Sequence, residues 1–170
     1  MAILSLSLGS NIDVDINIHS AVTALQEKFS DLRCSSVYES EAIGFVGDKF
    51  LNLVAVTNCE ADLQYIVDYL KALEDALGRD RSQPRFSARP IDIDILAYGE
   101  VSGSACGISL PRAEITQNAF VLRPLAELLP DSVHCPDGLT YAELWENFDQ
   151  SSQKLWRIDL DRQQRLTNSS

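Results

Sequence analysis

The chain has no apolar run near the ~18 residues that a membrane-spanning helix needs, and its 170 residues carry only 14 Lys and Arg against 25 Asp and Glu. The first absence excludes a helical membrane span. The second leaves a net charge of −11 and argues against duplex DNA or an RNA backbone as partner, because such binding rests on an excess of basic side chains. The opening MAILSLSLGSN has no basic segment and turns polar too early for a secretory signal, so a cytoplasmic protein is expected. Cysteine is sparse and scattered: Cys34, Cys59, Cys106 and Cys135 show no CxxC spacing, which favours free thiols over a disulfide framework. His134 beside Cys135 has no second close pair to complete a zinc site. No G-x-x-x-x-G-K-[ST] and no G-x-G-x-x-G occurs, which disfavours a P-loop NTPase and a Rossmann binder. Neither His19 nor His134 lies near a nucleophile elbow, so Ser/His/Asp hydrolase chemistry is poorly supported.

What is present is an ordinary globular composition, 45% hydrophobic and 23% charged. A chain of this length buries roughly 70% of its unfolded surface and needs no staples. One domain is expected over residues 1–160, with 161–170 as a solvated tail. Residues 2–8 alternate apolar and polar and read as a strand ending in a turn at Gly9-Ser10-Asn11. Asp13 is a candidate cap for a helix whose stripe runs Val14, Ile18, Val22, Leu25 and Phe29. Residues 32–38 and 50–58 read as strands. Asp62 is the next candidate cap, before a helix striped by Leu63, Ile66, Val67, Leu70, Leu73 and Leu77, with Gly78 just past its end. A polar loop, 79–90, leads into a strictly alternating strand, IDIDILAY. A Gly/Ser-rich turn at 102–107, a helical turn or two within 118–129, a short helix at 140–147 and an edge strand at 155–160 complete the pattern. The order β-α-β-β-α-β with C-terminal additions predicts an α+β, ferredoxin-like sandwich, with helices on one face of an antiparallel sheet.

The sharpest local feature is the join between that loop and that strand. Arg79, Arg81, Arg85 and Arg89 are four of the 14 basic residues, and they run directly into Ile91-Asp92-Ile93-Asp94-Ile95. Strand side chains two apart share a face, about 6.5–7 Å from one another. The isoleucines therefore point into the core while Asp92 and Asp94 project together from the other face. Two like charges side by side destabilise a strand unless something positive lies between them. Neighbouring arginines are one remedy; one or two Mg²⁺ ions are the other, leaving positions for water and substrate phosphate. Paired carboxylates beside an arginine loop are the parts of phosphoryl transfer. By the same period, Phe50 and Asn52 share a face, either as core and strand-end residues or as a stacking platform and amide reader for a flat heteroaromatic ring.

Four ordered segments, LSLGSN, FLNLVAV, GRDRSQPRFSARPIDIDILAYG and the LP…FVLRPLAELLPD stretch, resemble the 6-hydroxymethyl-7,8-dihydropterin pyrophosphokinases of folate biosynthesis, over about residues 2–137. The resemblance implies a ferredoxin-like fold and transfer of the pyrophosphoryl group of ATP to the pterin hydroxymethyl oxygen, releasing AMP. It implies that Asp92 and Asp94 hold two Mg²⁺ ions arriving with ATP, and that Arg79 and Arg89 are the charge-stabilising loop arginines. It places Glu74, Arg81, Arg85 and Ile95 at the ATP site, and has Phe50 and Phe120 sandwich the pterin. Asn52 would bond the pterin edge, with backbone near Ser40 and Ile43 closing the pocket. A monomer with no nucleic-acid or membrane partner is expected. Departures from the family pattern lie on the ATP side: Arg112 in place of a histidine, where it is expected to bind ATP by supplying charge from a shifted position, Ala113 for a larger residue, Asn118 for an arginine and Gly107 at another basic position. Phe86 for tryptophan and Phe50 for tyrosine keep an aromatic. These departures motivate one alternative, a divergent pterin-binding paralogue with weak or no transferase activity; a ferredoxin-like interaction module without a small-molecule site is a separate alternative.

Overall fold

The computed structural model describes residues 1–11, 13–40, 50–78 and 91–158. Its elements in chain order are β1 (Ala2–Ser10), α1 (Val14–Lys28), β2 (Arg33–Cys34), β3 (Val37–Ser40), β4 (Phe50–Cys59), α2 (Leu63–Ala76) and β5 (Asp92–Tyr98). There follow β6 (Gly103–Ala105), β7 (Ile108–Leu110), α3 (Glu114–Gln117), α4 (Ala119–Leu128), β8 (Val133–His134), β9 (Leu139–Thr140), α5 (Tyr141–Asn147) and β10 (Leu155–Ile158). The main sheet is antiparallel in the order β10-β3-β4-β1-β5, with β2 also paired to β4. Among the described residues no helix is long and apolar enough to cross a membrane.

The alternation of β1 sets the first core. Leu4, Leu6 and Leu8 are fully buried against Ile18, Leu25, Ile66 and Leu70 of α1 and α2. Burying each such side chain contributes about 1.5–3 kcal/mol. Helices on one face only were expected, and here the structure differs. Val54, Val56 and Leu96 form a second core with Ile115, Leu122, Leu125 and Tyr141 of α3, α4 and α5. The signal lay in the run LVAV of β4, which is apolar at every position and so suits a strand covered on both sides. Even Ser5 and Ser7, on the second face of β1, are buried.

Other differences have local causes. The expected strand 32–38 is two strands, because the pairing with β4 slips by one residue between Cys34↔Ala55 and Tyr38↔Asn52. Ser35 bridges the slip: its amide donates to the Val54 carbonyl at 2.8 Å and its hydroxyl accepts from Val54 N at 2.9 Å. Strand β1 runs on through Gly9 and Ser10 instead of turning there. Neither Asp13 nor Asp62 makes a side-chain cap bond; each supplies its backbone carbonyl instead, to Asn17 N and Ile66 N. Asp13 sits at φ 41°, the left-handed region that Asp tolerates. The effective cap is Thr140, whose hydroxyl accepts from Glu143 N at 3.1 Å. The 102–107 segment supplies β6 and the turn of a hairpin, β6–β7, closed at Cys106-Gly107 with both φ values positive. Helix α4 spans ten residues, longer than expected, with Pro124 inside it.

Helix α4 is tied to β3 by one carboxylate. Glu127 accepts from Tyr38 Oη at 2.6 Å and from Ser36 N at 2.8 Å, and Arg123 lies over the Tyr38 ring. Tyr38 is 3% exposed, so losing its acceptor leaves a buried hydroxyl unpaired. Glu127→Ala is expected to lower unfolding free energy by about 1–3 kcal/mol, read by denaturant titration. Burial, aided by Glu127, pushes the Tyr38 phenol up to about 12, so it remains a donor at neutral pH.

In the β8–β9 hairpin, His134 is buried beside Tyr141, and its Nε2 lies 3.6 Å from Asp137. Burial pushes the imidazole below its usual value of 6.5, opposed by Asp137. The unfolded chain therefore takes up the proton first as pH falls, and stability drops through the region below about 6.5. Melting temperature measured from pH 7.5 to 5 is expected to fall, and less steeply in His134→Phe.

Candidate active site

The site rests on the register of three strands. Gly9 of β1 is opposite Asn52 of β4 on one side and Asp92 of β5 on the other, and Tyr38 of β3 is opposite Asn52. Directly opposed residues point to the same face of a sheet, and neighbouring strands lie about 4.8 Å apart. Asn52 and Asp92 thus stand on one face about 10 Å apart, with a residue lacking a side chain between them. Phe50, two residues before Asn52, and Ser40, opposite Phe50, extend the row. Asp94, opposite Ser7, stands beside Asp92. The side chains of Ile91, Ile93 and Ile95 are buried in the first core on the reverse face.

A β-bulge makes this arrangement work. Leu6 pairs with Ile95 and Ser5 with Ala97, so Leu96 is the extra residue. The inserted residue resets the alternation: Tyr98 joins the first core, and Leu96 joins the second, on the aspartate face. The Leu96 carbonyl accepts from Arg112 N at 2.8 Å. That bond seats Arg112 against β5, with a guanidinium nitrogen 4.0 Å from Asp94 Oδ1 and Nε 3.3 Å from Glu114.

Asn52 is 5% exposed and donates through Nδ2 to Ser40 Oγ at 3.2 Å. Glu74 of α2 is buried and accepts from Ile93 N at 3.4 Å, which links the helix to the back of β5. Phe120 lies half-buried in the first turn of α4, against the second core. The structure therefore brings Asp92, Asp94 and Arg112 together at one end of the row and Asn52, Ser40 and Phe50 at the other. The Ile95 side chain does not reach that face. Arg79, Arg81, Arg85, Arg89, Phe86 and Ile43 lie outside the described residues, as do the expected tail and the end of the 155–160 strand. A separate cavity of about 260 Å³ by the far end of β5, lined by Ala97, Pro111, His134 and Tyr141 among others, includes none of these site residues.

Asp92 and Asp94 offer hard oxygen donors on one face; the Asp94 side chain is 53% exposed. Among the described residues no third His, Cys, Asp or Glu joins them into a cage. Two carboxylates with positions left for water and phosphate fit Mg²⁺, which is seldom bound by an all-protein shell.

Fold and site together define a mixed helix–strand protein whose antiparallel sheet carries a carboxylate pair and a buried amide on one face. The family model of 7,8-dihydro-6-hydroxymethylpterin-pyrophosphokinase (HPPK) matches residues 5–130. A 2-amino-4-hydroxy-6-hydroxymethyldihydropteridine pyrophosphokinase of Synechocystis is 30% identical over 145 residues, covering 84% of this chain and 74% of that protein. One of Pseudomonas aeruginosa is 34% identical over 143 residues, covering 81% and 86%. Among solved structures, the wild-type Plasmodium falciparum HPPK-DHPS with SDX-DHP matches with a TM-score of 0.64 at 16% identity, over 86% of this chain and 43% of that one. At that identity the likeness concerns the fold, and the chain spans under half the length of that protein. The chain belongs to the 6-hydroxymethyl-7,8-dihydropterin pyrophosphokinase family.

The sequence pointed to Asn52 and the aspartates but not to Gly9, read there only as part of a turn. It also missed the Tyr38–Glu127 link. Period-two reasoning places residues on faces within one strand; it does not say which strands are neighbours.

Proposed function

We propose that this protein transfers the pyrophosphoryl group of ATP to the hydroxymethyl oxygen of 6-hydroxymethyl-7,8-dihydropterin, releasing AMP, in folate biosynthesis. The observation that carries the reading is the Asn52–Gly9–Asp92 row, which sets an amide reader and the carboxylate pair on one face two strands apart. A bicyclic ring held at its edge by Asn52 presents its substituent toward Asp92. The family resemblance supports the same pairing.

Asn52, with Ser40 fixing its amide, reads the donor and acceptor edge of the pterin. Phe50 and Phe120 supply the stacking faces, and backbone near Ile43 completes the pocket. Asp92 and Asp94 would hold Mg²⁺, read here as two ions arriving with ATP, which when bound neutralises phosphate charge and holds the phosphates in line. Arg112 adds a guanidinium beside Asp94. Glu74, Arg81, Arg85 and Ile95 line the nucleotide site, Ile95 through its main chain. Arg79 and Arg89 stabilise charge developing on the transferred group. The hydroxymethyl oxygen bonds to the β-phosphorus, the bond from that phosphorus to the α–β bridging oxygen breaks, and AMP leaves with the bridging oxygen. The hydroxyl proton passes to solvent. Positioning and electrostatics carry the rate, with no side-chain base required.

The sheet order β3-β4-β1-β5 with α1 and α2 on one face supports the ferredoxin-like assignment. We read residues 1–160 as one monomeric, cytoplasmic domain and 161–170 as a tail, with no nucleic-acid or membrane partner. The test is product identity. Protein, ATP, Mg²⁺ and the reduced hydroxymethylpterin are expected to yield AMP. ADP would indicate ordinary phosphoryl transfer, and no nucleotide product at generous enzyme would indicate the binding paralogue.

A further inference from the structure

We infer that Gly9 is a positioning residue for substrate recognition: its missing side chain leaves the Asn52 amide room for its reading pose. This rests on the pterin-binding reading above and adds to it a residue that touches no substrate through a side chain.

Gly9 does not have a positive φ, so backbone freedom does not explain a glycine here. Space does. A Cβ at position 9 would lie 2.8 Å from Asn52 Oδ1 and 3.8 Å from its Cγ. The first distance is inside van der Waals contact, and the obstructing group is a short side chain buried to 5% exposure, with little room to retreat. Its other end is held, since Nδ2 donates to Ser40 Oγ at 3.2 Å. The amide is thus pinned by Ser40 on one side and lies over the bare Cα of Gly9 on the other. Among the described residues no donor reaches Oδ1, so this pose leaves an acceptor for a ring N–H or amino group. A methyl at position 9 forces the amide to turn or lift.

The experiment uses Gly9→Ala, Asn52→Ala and the double variant in the full chain. Pterin affinity is read by fluorescence quenching, ATP·Mg²⁺ affinity by calorimetry, and the Asn52 side-chain amide by ¹⁵N–¹H spectra without ligand. Alanine suits a strand interior better than glycine, but displacing the buried amide costs more than that gain, so Gly9→Ala is expected to stay folded and to melt slightly below wild type. Its Asn52 amide resonances move in the ligand-free protein, its pterin Kd rises about 10- to 100-fold, and its ATP affinity is unchanged. The double variant binds pterin no worse than Asn52→Ala alone, because position 9 acts through the amide. Wild-type pterin affinity in Gly9→Ala, unmoved Asn52 resonances, or additive losses in the double variant would overturn the inference and leave the function standing. A wild-type protein that binds no pterin would overturn both.

Discussion

Asp94→Ala is expected to lower kcat/KM for pterin-dependent AMP release about 1,000-fold, or ~4 kcal/mol of transition-state stabilisation, while the fold survives. The carboxylate projects from the aspartate face with its side chain 53% exposed, and surface substitutions away from caps and cores usually shift stability by less than about 0.5 kcal/mol. The bland reading of the pair, a salt bridge to Arg112, makes the opposite forecast. A partly exposed ion pair at 4.0 Å is worth about 0–1 kcal/mol of stability and nothing in rate. Steady-state kinetics beside a thermal melt separates the two. Asp92→Ala should behave alike in rate, and Asp94→Asn, which keeps the shape and removes the charge, should fall nearly as far as Asp94→Ala.

The second large effect belongs to the other end of the row. Asn52→Ala is expected to weaken pterin binding about 100-fold, ~3 kcal/mol, with ATP·Mg²⁺ affinity unchanged. The amide is buried and oriented by Ser40, so its removal takes away a preorganised donor–acceptor reader and leaves ring polar groups without partners. Fluorescence quenching measures the pterin arm and calorimetry the nucleotide arm. Equal losses in both would mean that Asn52 supports the fold rather than the ring.

Much of this site was legible in the sequence because a strand has a period of two. Ile91, Ile93 and Ile95 alternate with Asp92 and Asp94, and the structure buries the first set and turns out the second. The resemblance then joined this strand to Phe50 and Asn52, about forty positions earlier. What remained hidden depends on tertiary pairing. The bulge at Leu96 reverses the alternation before Tyr98, and no local pattern announces it. The row through Gly9 needs β1 to lie between β4 and β5, a fact of sheet order. The second layer of helices was half legible: LVAV in β4 is too apolar for a strand with a wet face, yet the short, Pro-containing α4 did not read as its cover.

Arg112 shows the same limit from another side. As a substitution for the family's histidine it raised the question of lost activity. The sequence offered it only as a shifted ATP-side charge; the backbone bond from Arg112 N to Leu96 O is what places its guanidinium beside Asp94.

The most direct measurement follows the phosphorus atoms through one turnover. Protein in excess over ATP labelled at the γ-phosphorus is mixed with Mg²⁺ and the reduced hydroxymethylpterin, quenched and separated. Pyrophosphoryl transfer is expected to give unlabelled AMP and labelled pterin diphosphate in equal amounts. Label recovered as inorganic phosphate or as a pterin monophosphate with ADP, or ATP left intact, would contradict it.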